Sequence, residues 1–432
     1  MKYILYLLPV LLLFAGCSSS DGPDVKGSDG SVSLSFSMLT SGAITSSRAD
    51  SEGHGETDSE YRNFEDGIDI SDLGVFVFAK IAGTTGDEKL VYKLTNLLSS
   101  DDARINVVGA PGSYLVNLMI RREDLKEILG GYDISPEGDA LIQFRMLLLA
   151  NCSSPGTNAT AKWDAITGQD FPTVIDQLSE WNYAMSYIYN ENGGSDAESI
   201  YSNRKKNVPM FGTNVFTATE GDLYYSRPEN RVYLGQMDLL RSLAKVRVVD
   251  NIGGKNEAGY PRITSAEFLS SQAQARQVPA GAVSYQNGQQ VHTPNIFEDN
   301  DLILAATYRL GTIPDVSVMP GTNHTGDVFI GFVPEQRIGH PNNNTEEGMP
   351  VYHVTIANQK ADGSMETLDY YVPMTGYNNG YSSQNFSFGE NILRNHIYTL
   401  SVSDFGALLE LTVDVVPYRS CVLEPFFGLE RD

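Results

Sequence analysis

The sequence predicts an all-β protein of two β-sandwich domains, with one or two short helices in the first. Three observations carry that reading. Short runs rich in Val, Ile, Phe and Tyr recur along the chain, with Gly, Pro, Asn and Asp clustered between them. Only one stretch shows sustained helical spacing. At 432 residues the chain is too long for one ordinary core, which sets the domain count at two. The divide is expected near Gly235, giving domains over residues 31–235 and 236–432.

The apolar content of 41% is enough for real cores, and 30 basic against 54 acidic side chains give a net charge of −24. Such a surface repels phosphate backbones and anionic headgroups, so nucleic acid is not an expected partner. The acidity reads as a solubility feature of an exposed protein.

Residues 1–16 read as a signal peptide. Lys2 supplies the positive end, and the apolar run Ile4–Phe14, about 11 residues, is too short to span a bilayer as a mature helix. Ala15-Gly16 then precedes Cys17, which resembles the lipobox of bacterial lipoproteins, with Phe14 where Leu is more usual. That resemblance implies acylation of Cys17 and anchoring in the outer membrane, facing outward. Residues 17–30, rich in Ser, Gly and Asp, read as a flexible tether.

The first strand alternates without a fault. Val32, Leu34, Phe36 and Met38 share one face, and Ser31, Ser33, Ser35 and Ser37 the other, as in a half-buried β-strand. The stretch Ser41–Asp66 is polar and acidic, lacks periodicity and contains Arg48 and Arg62, so a solvated loop is expected. Strands follow at Leu73–Ala79, pairing with Lys89–Leu94, then at 104–108, 112–120 and 140–149. Leu125, Ile128 and Leu129 suggest a short helix. Val174, Ile175, Leu178, Trp181, Met185 and Ile188 predict a longer one, packed on a sheet.

Arg231–Leu234 is expected to be the last strand of the first domain, and Met237–Val249 to open the second. Strands at 263–270, 327–334, 351–357 and 368–374 follow, with 271–300 a long loop. His396, Tyr398, Leu400 and Val402 alternate with polar neighbours, and Leu409, Leu411, Val413 and Val415 repeat that alternation after the turn Asp404–Ala407. Cys152 and Cys421 lack metal-like spacing; a disulfide fits an exported chain, and two separate buried thiols fit it better.

Several motifs together resemble the fimbrillin superfamily, the lipoprotein-derived subunits of type V pili in Bacteroidales. They are the lipobox at Cys17, Leu73–Ala79, Ala150-Asn151, Val208-Pro209-Met210-Phe211-Gly212, Arg241–Val248 and Leu393–Leu400. The resemblance implies transthyretin-like sandwiches and a pilus assembled with other subunits by donor-strand exchange, supporting adhesion. A trypsin-like, Arg-specific protease would cut at Arg48-Ala49 and free the strand bearing Val32, Leu34, Phe36 and Met38. A segment after Ala407, with Leu409, Leu411, Val413 and Val415, would be donated to the next subunit. Arg62 is a rival cut. An uncleaved anchor and a tip subunit belong to the same family of roles.

No P-loop, GxGxxG, GxSxG or HExxH motif is present, and the six histidines are scattered, so neither an enzyme nor a cofactor is expected. The rival of another class is a surface glycan-binding lipoprotein, resting on the Tyr377–Tyr381 loop, where aromatic faces could stack on sugars.

Overall fold

The computed structural model describes residues 30–40, 67–94, 104–107, 113–152, 166–179, 182–184, 207–270, 274–276, 284–286, 289–291, 306–309, 311–313, 328–334, 336–337, 351–373, 391–392 and 394–417. In chain order the first half contains β1 (Ser31–Leu39), β2 (Leu73–Ile81), β3 (Lys89–Leu94), β4 (Ile105–Val107) and β5 (Ser113–Arg121). Helix α1 (Arg122–Ile128), β6 (Leu141–Ala150), helix α2 (Phe171–Ser179), β7 (Asn182–Ala184) and β8 (Met210–Thr219) follow. Helix α3 (Glu220–Tyr225), β9 (Val232–Asp238) and β10 (Leu240–Arg241) complete it.

A four-stranded sheet of order β4-β5-β1-β9 faces a five-stranded sheet of order β10-β8-β6-β2-β3. Between them lies one core in which Leu34, Phe36, Val75, Val77, Phe144 and Met146 are fully buried. The far side of the five-stranded sheet is covered as well. Phe76, Phe78, Leu147, Leu149 and Phe211 pack there with Val174, Ile175 and Leu178 of α2. This double burial explains why Leu73–Ala79 is apolar nearly throughout rather than alternating.

The second half contains β11 (Leu243–Asp250), β12 (Arg262–Ser270), β13 (Gln274–Arg276), β14 (Ser284–Gln286), β15 (Gln289–Val291) and β16 (Ala306–Arg309). Then come β17 (Gly311–Ile313), β18 (Val328–Pro334), β19 (Gln336–Arg337), β20 (Val351–Gln359) and β21 (Met365–Pro373). Last are β22 (Asn391–Ile392), β23 (His396–Phe405) and β24 (Leu409–Pro417). Sheets of order β17-β18-β11-β23-β24 and β16-β12-β20-β21 enclose a second core around Val246, Val248, Phe268, Phe332, Tyr352 and Leu400. The all-β, two-sandwich architecture follows from these sheets and cores.

Three expectations change. The helix expected to reach Ile188 ends at Ser179, because Asn182–Ala184 takes up an antiparallel partner in Gln274–Arg276. The six-residue α3 is a further helix, too short to show periodicity; the Thr219 side chain caps it by accepting from the Asp222 N–H. Residues 271–300, read as loop, carry the three-residue strands β13, β14 and β15. Gly235 lies inside β9, and Met237 and Leu239 pack in the first core while Leu243 packs in the second. Between these two packings, the Ser242 N–H donates to the Pro209 carbonyl at 2.8 Å.

Gly235 has its own reason to be glycine. It sits at φ +138 beside the irregularity in the β1–β9 ladder, and a Cβ there would lie 2.9 Å from a ring carbon of Phe216. Cys152 is buried, and its Sγ donates to the Ala150 carbonyl at 3.0 Å; Cys421 lies outside the described residues.

Candidate functional site: the seat of the first strand

β1 occupies an interior place in its sheet. It runs antiparallel to β5 in unbroken register from Ser31 opposite Arg121 to Leu39 opposite Ser113. On its other side it runs parallel to β9, with Leu34 opposite Val232 and Met38 opposite Met237. Two edges of backbone hydrogen-bonding groups are thus satisfied by one strand, the first of the described strands. Taking β1 away would leave β5 and β9 as the walls of an open slot.

The apolar side of the strand fills the slot completely. Val32, Leu34, Phe36 and Met38 are each 0% exposed. Four such side chains contribute roughly 6–12 kcal/mol gross at about 1.5–3 kcal/mol each, before the entropy of ordering the segment is subtracted.

The serine side is less open than its alternation implies. Ser33 is fully buried and Ser35 nearly so, which corrects the half-buried reading over this half of the strand. The cause is tertiary: α3 and Ser226, supplied some two hundred residues later, come against this part of β1. The Ser33 N–H donates to Ser226 Oγ at 3.0 Å. Further along, Tyr233 of β9 donates its hydroxyl to Ser37 Oγ at 3.0 Å. Both ends are fastened too, since the Arg122 N–H donates to the Gly30 carbonyl and the Leu239 N–H to the Leu39 carbonyl.

A buried carboxylate sets the place of α3. Glu220, at the helix start, accepts from the Tyr132 hydroxyl at 3.0 Å, the Ser135 N–H at 3.1 Å and the Ala140 N–H at 3.0 Å. The Tyr132 hydroxyl is pushed above the ordinary phenol range, chiefly by its hydrogen bond to Glu220. Gly138 is required beside it, because a Cβ there would stand 2.0 Å from Glu220 Oε2. Glu220→Ala strands two backbone donors, so a loss of about 2–4 kcal/mol is expected in denaturant unfolding.

The chain beyond β1 re-enters the fold at a separate anchorage. Asn151, in the left-handed region at φ 60, accepts the Asp69 N–H on Oδ1 at 2.8 Å. Its Nδ2 donates to the Gly67 carbonyl at 3.0 Å and the Val208 carbonyl at 2.8 Å. One side chain thus joins Ala150-Asn151 to the start of Val208–Gly212, and fixes residues 67–69 without help from β1. Tyr114 adds a second tie, its hydroxyl accepting from the Ile68 N–H at 3.2 Å. Sequence reasoning singled out Ala150-Asn151 but not this role; an asparagine ending a buried strand is the signal that could have pointed to it.

The second alternating segment, β24, is an edge strand. It pairs with β23, Leu409 opposite Phe405 and Val415 opposite Tyr398, and no described strand lies on its other side. Leu409 and Leu411 are partly buried against the second core. The structure therefore places Val32–Met38 and Leu409–Val415 in different sheets of one chain and does not bring them together. Cys17, Arg48, Ala49, Arg62 and the Tyr377–Tyr381 loop lie outside the described residues. Among the described residues no group of three His, Cys, Asp or Glu could hold a metal ion, and no helix is long and apolar enough to cross a membrane.

No protein-family model matches the chain, and no curated protein does. Among solved structures, the chain is similar to the tip fimbrial protein Mfa3 of Porphyromonas gingivalis in a C-terminally truncated form. The identity is 12% and the TM-score 0.45, over 90% of this chain and 99% of that one. It is also similar to a fimbrial assembly protein of Parabacteroides distasonis, at 12% identity and TM-score 0.40 over 91% and 99% of the two chains. At this level of likeness neither lends its role to the chain.

Proposed function

We propose that the chain is a structural subunit of a surface pilus, exported as a lipoprotein and polymerised by exchange of its first strand. The observation that supports this most is the seat of β1. An interior strand with four fully buried apolar side chains is the first described strand, and the chain after it is anchored independently at residues 67–69. A cut between those two anchorages leaves β1 held by non-covalent contacts alone.

In this reading Cys17 carries the lipid, and an Arg-specific protease cuts at Arg48-Ala49. The open slot between β5 and β9 then takes an alternating strand from another subunit. β24 has the right pattern and no described strand on its outer side, so Leu409, Leu411, Val413 and Val415 are the donor residues. Filling the slot restores both rows of backbone hydrogen bonds and covers the apolar walls, which is what drives assembly.

The test is the mature N-terminus of the protein on native cells, read by mass spectrometry. A start at Ala49 supports a polymerising subunit. A start at Cys17 with lipid attached identifies a retained anchor and overturns the exchange of β1. A chain truncated after Phe405 should accept a strand but donate none. Denaturant-resistant ladders from that truncated protein would move the donor away from β24.

A further inference from the structure

The burial of β1 is not uniformly favourable, and the exception is Ser33. Its side chain is fully buried, and its Oγ has no hydrogen-bond partner among the described residues. The nearby hydroxyl of Ser226 is already engaged: it accepts the Ser33 N–H at 3.0 Å and donates its one proton to the Leu223 carbonyl at 2.7 Å. Ser226 is itself fully buried, so the pair is shielded from solvent. A hydroxyl stripped of water and left unpaired opposes burial of the strand that carries it. Alanine has nearly the same shape and lacks that liability.

A serine further along the same face shows the contrast. Ser37 is only partly buried, and its Oγ accepts the Tyr233 hydroxyl. Ser33 is thus the point at which β1 fits its seat least well, although its four apolar neighbours on the other face fit fully.

We propose that Ser33 is a release element, a position that weakens the hold on β1 so that an incoming strand can replace it. This inference rests on the strand-exchange reading.

Hydrogen exchange on the full chain tests it. Ser33→Ala should slow exchange of the β1 amides by about fivefold or more, as removal of an unpaired buried hydroxyl requires. Ser37→Ala, which loses a satisfied and more exposed hydroxyl, should not slow it. Exchange in Ser33→Ala no slower than in the wild type overturns the inference. The exchange reading is tested separately with a chain nicked at an engineered protease site between residues 41 and 66, challenged with excess peptide spanning residues 409–417. Wild-type chain that keeps its N-terminal fragment overturns strand exchange, and the release role with it, even if Ser33→Ala shows slower hydrogen exchange. Where the wild type releases the fragment, Ser33→Ala should release it about fivefold more slowly, and equal rates overturn the role of Ser33 alone.

Discussion

Arg48→Ala is expected to abolish maturation and polymerisation while leaving the fold intact. The segment that follows β1 begins beyond Leu39 and ends at Gly67, where Asn151 takes hold of the chain. Arg48 lies outside the described residues and in none of the described strands. The consequence of removing it is kinetic and absolute: without a cut, β1 stays covalently tethered and recaptures its own slot faster than any second chain can enter. Arg62→Ala is the control. N-terminal sequencing and heat-labile ladders on gels should show wild-type behaviour for Arg62→Ala and unprocessed monomer for Arg48→Ala. The reverse pattern moves the cut to Arg62.

Phe36→Ala is expected to have the largest effect on stability. Phe36 is completely buried at the middle of β1, opposite Val116 of β5, within the first core. Truncating a buried phenylalanine removes about 3–5 kcal/mol, a large part of the roughly 5–15 kcal/mol that holds an ordinary domain together. Denaturant unfolding of the uncleaved chain should show that loss. In the cleaved protein the same loss falls entirely on the contact between β1 and its seat, so β1 should leave sooner and polymer should form faster. A variant that is destabilised as expected yet polymerises more slowly would place strand departure outside the rate-limiting step.

The individual strands are legible because their signal is local. Val32, Leu34, Phe36 and Met38 must share a face in any extended chain, and all four are in the core. The same holds for Leu73–Ile81 and Lys89–Leu94, which pair as their adjacency suggests. Where the signal is short or points two ways, it misleads. Apolar spacing carries a helix past Ser179 on paper, but Asn182–Ala184 finds its backbone partner in Gln274–Arg276, about ninety residues on. Three-residue strands such as Ser284–Gln286 contain too few side chains for any period to register.

The sequence by itself determined that this chain is all-β, which face of Val32–Met38 turns inward, and that Leu409–Val415 repeats the same pattern near the end. Each of these depends on the two-residue period of an extended backbone, which needs no partner to be read. Only the tertiary structure decided that β1 is an interior strand between β5 and β9, that Ser33 is sealed beneath α3 and Ser226, and that β24 rests on a sheet edge. Those facts depend on pairings between residues as distant as Leu34 and Val232. A backbone N–H or C=O is alike in every residue, so which distant strand satisfies it is chosen by how whole faces pack.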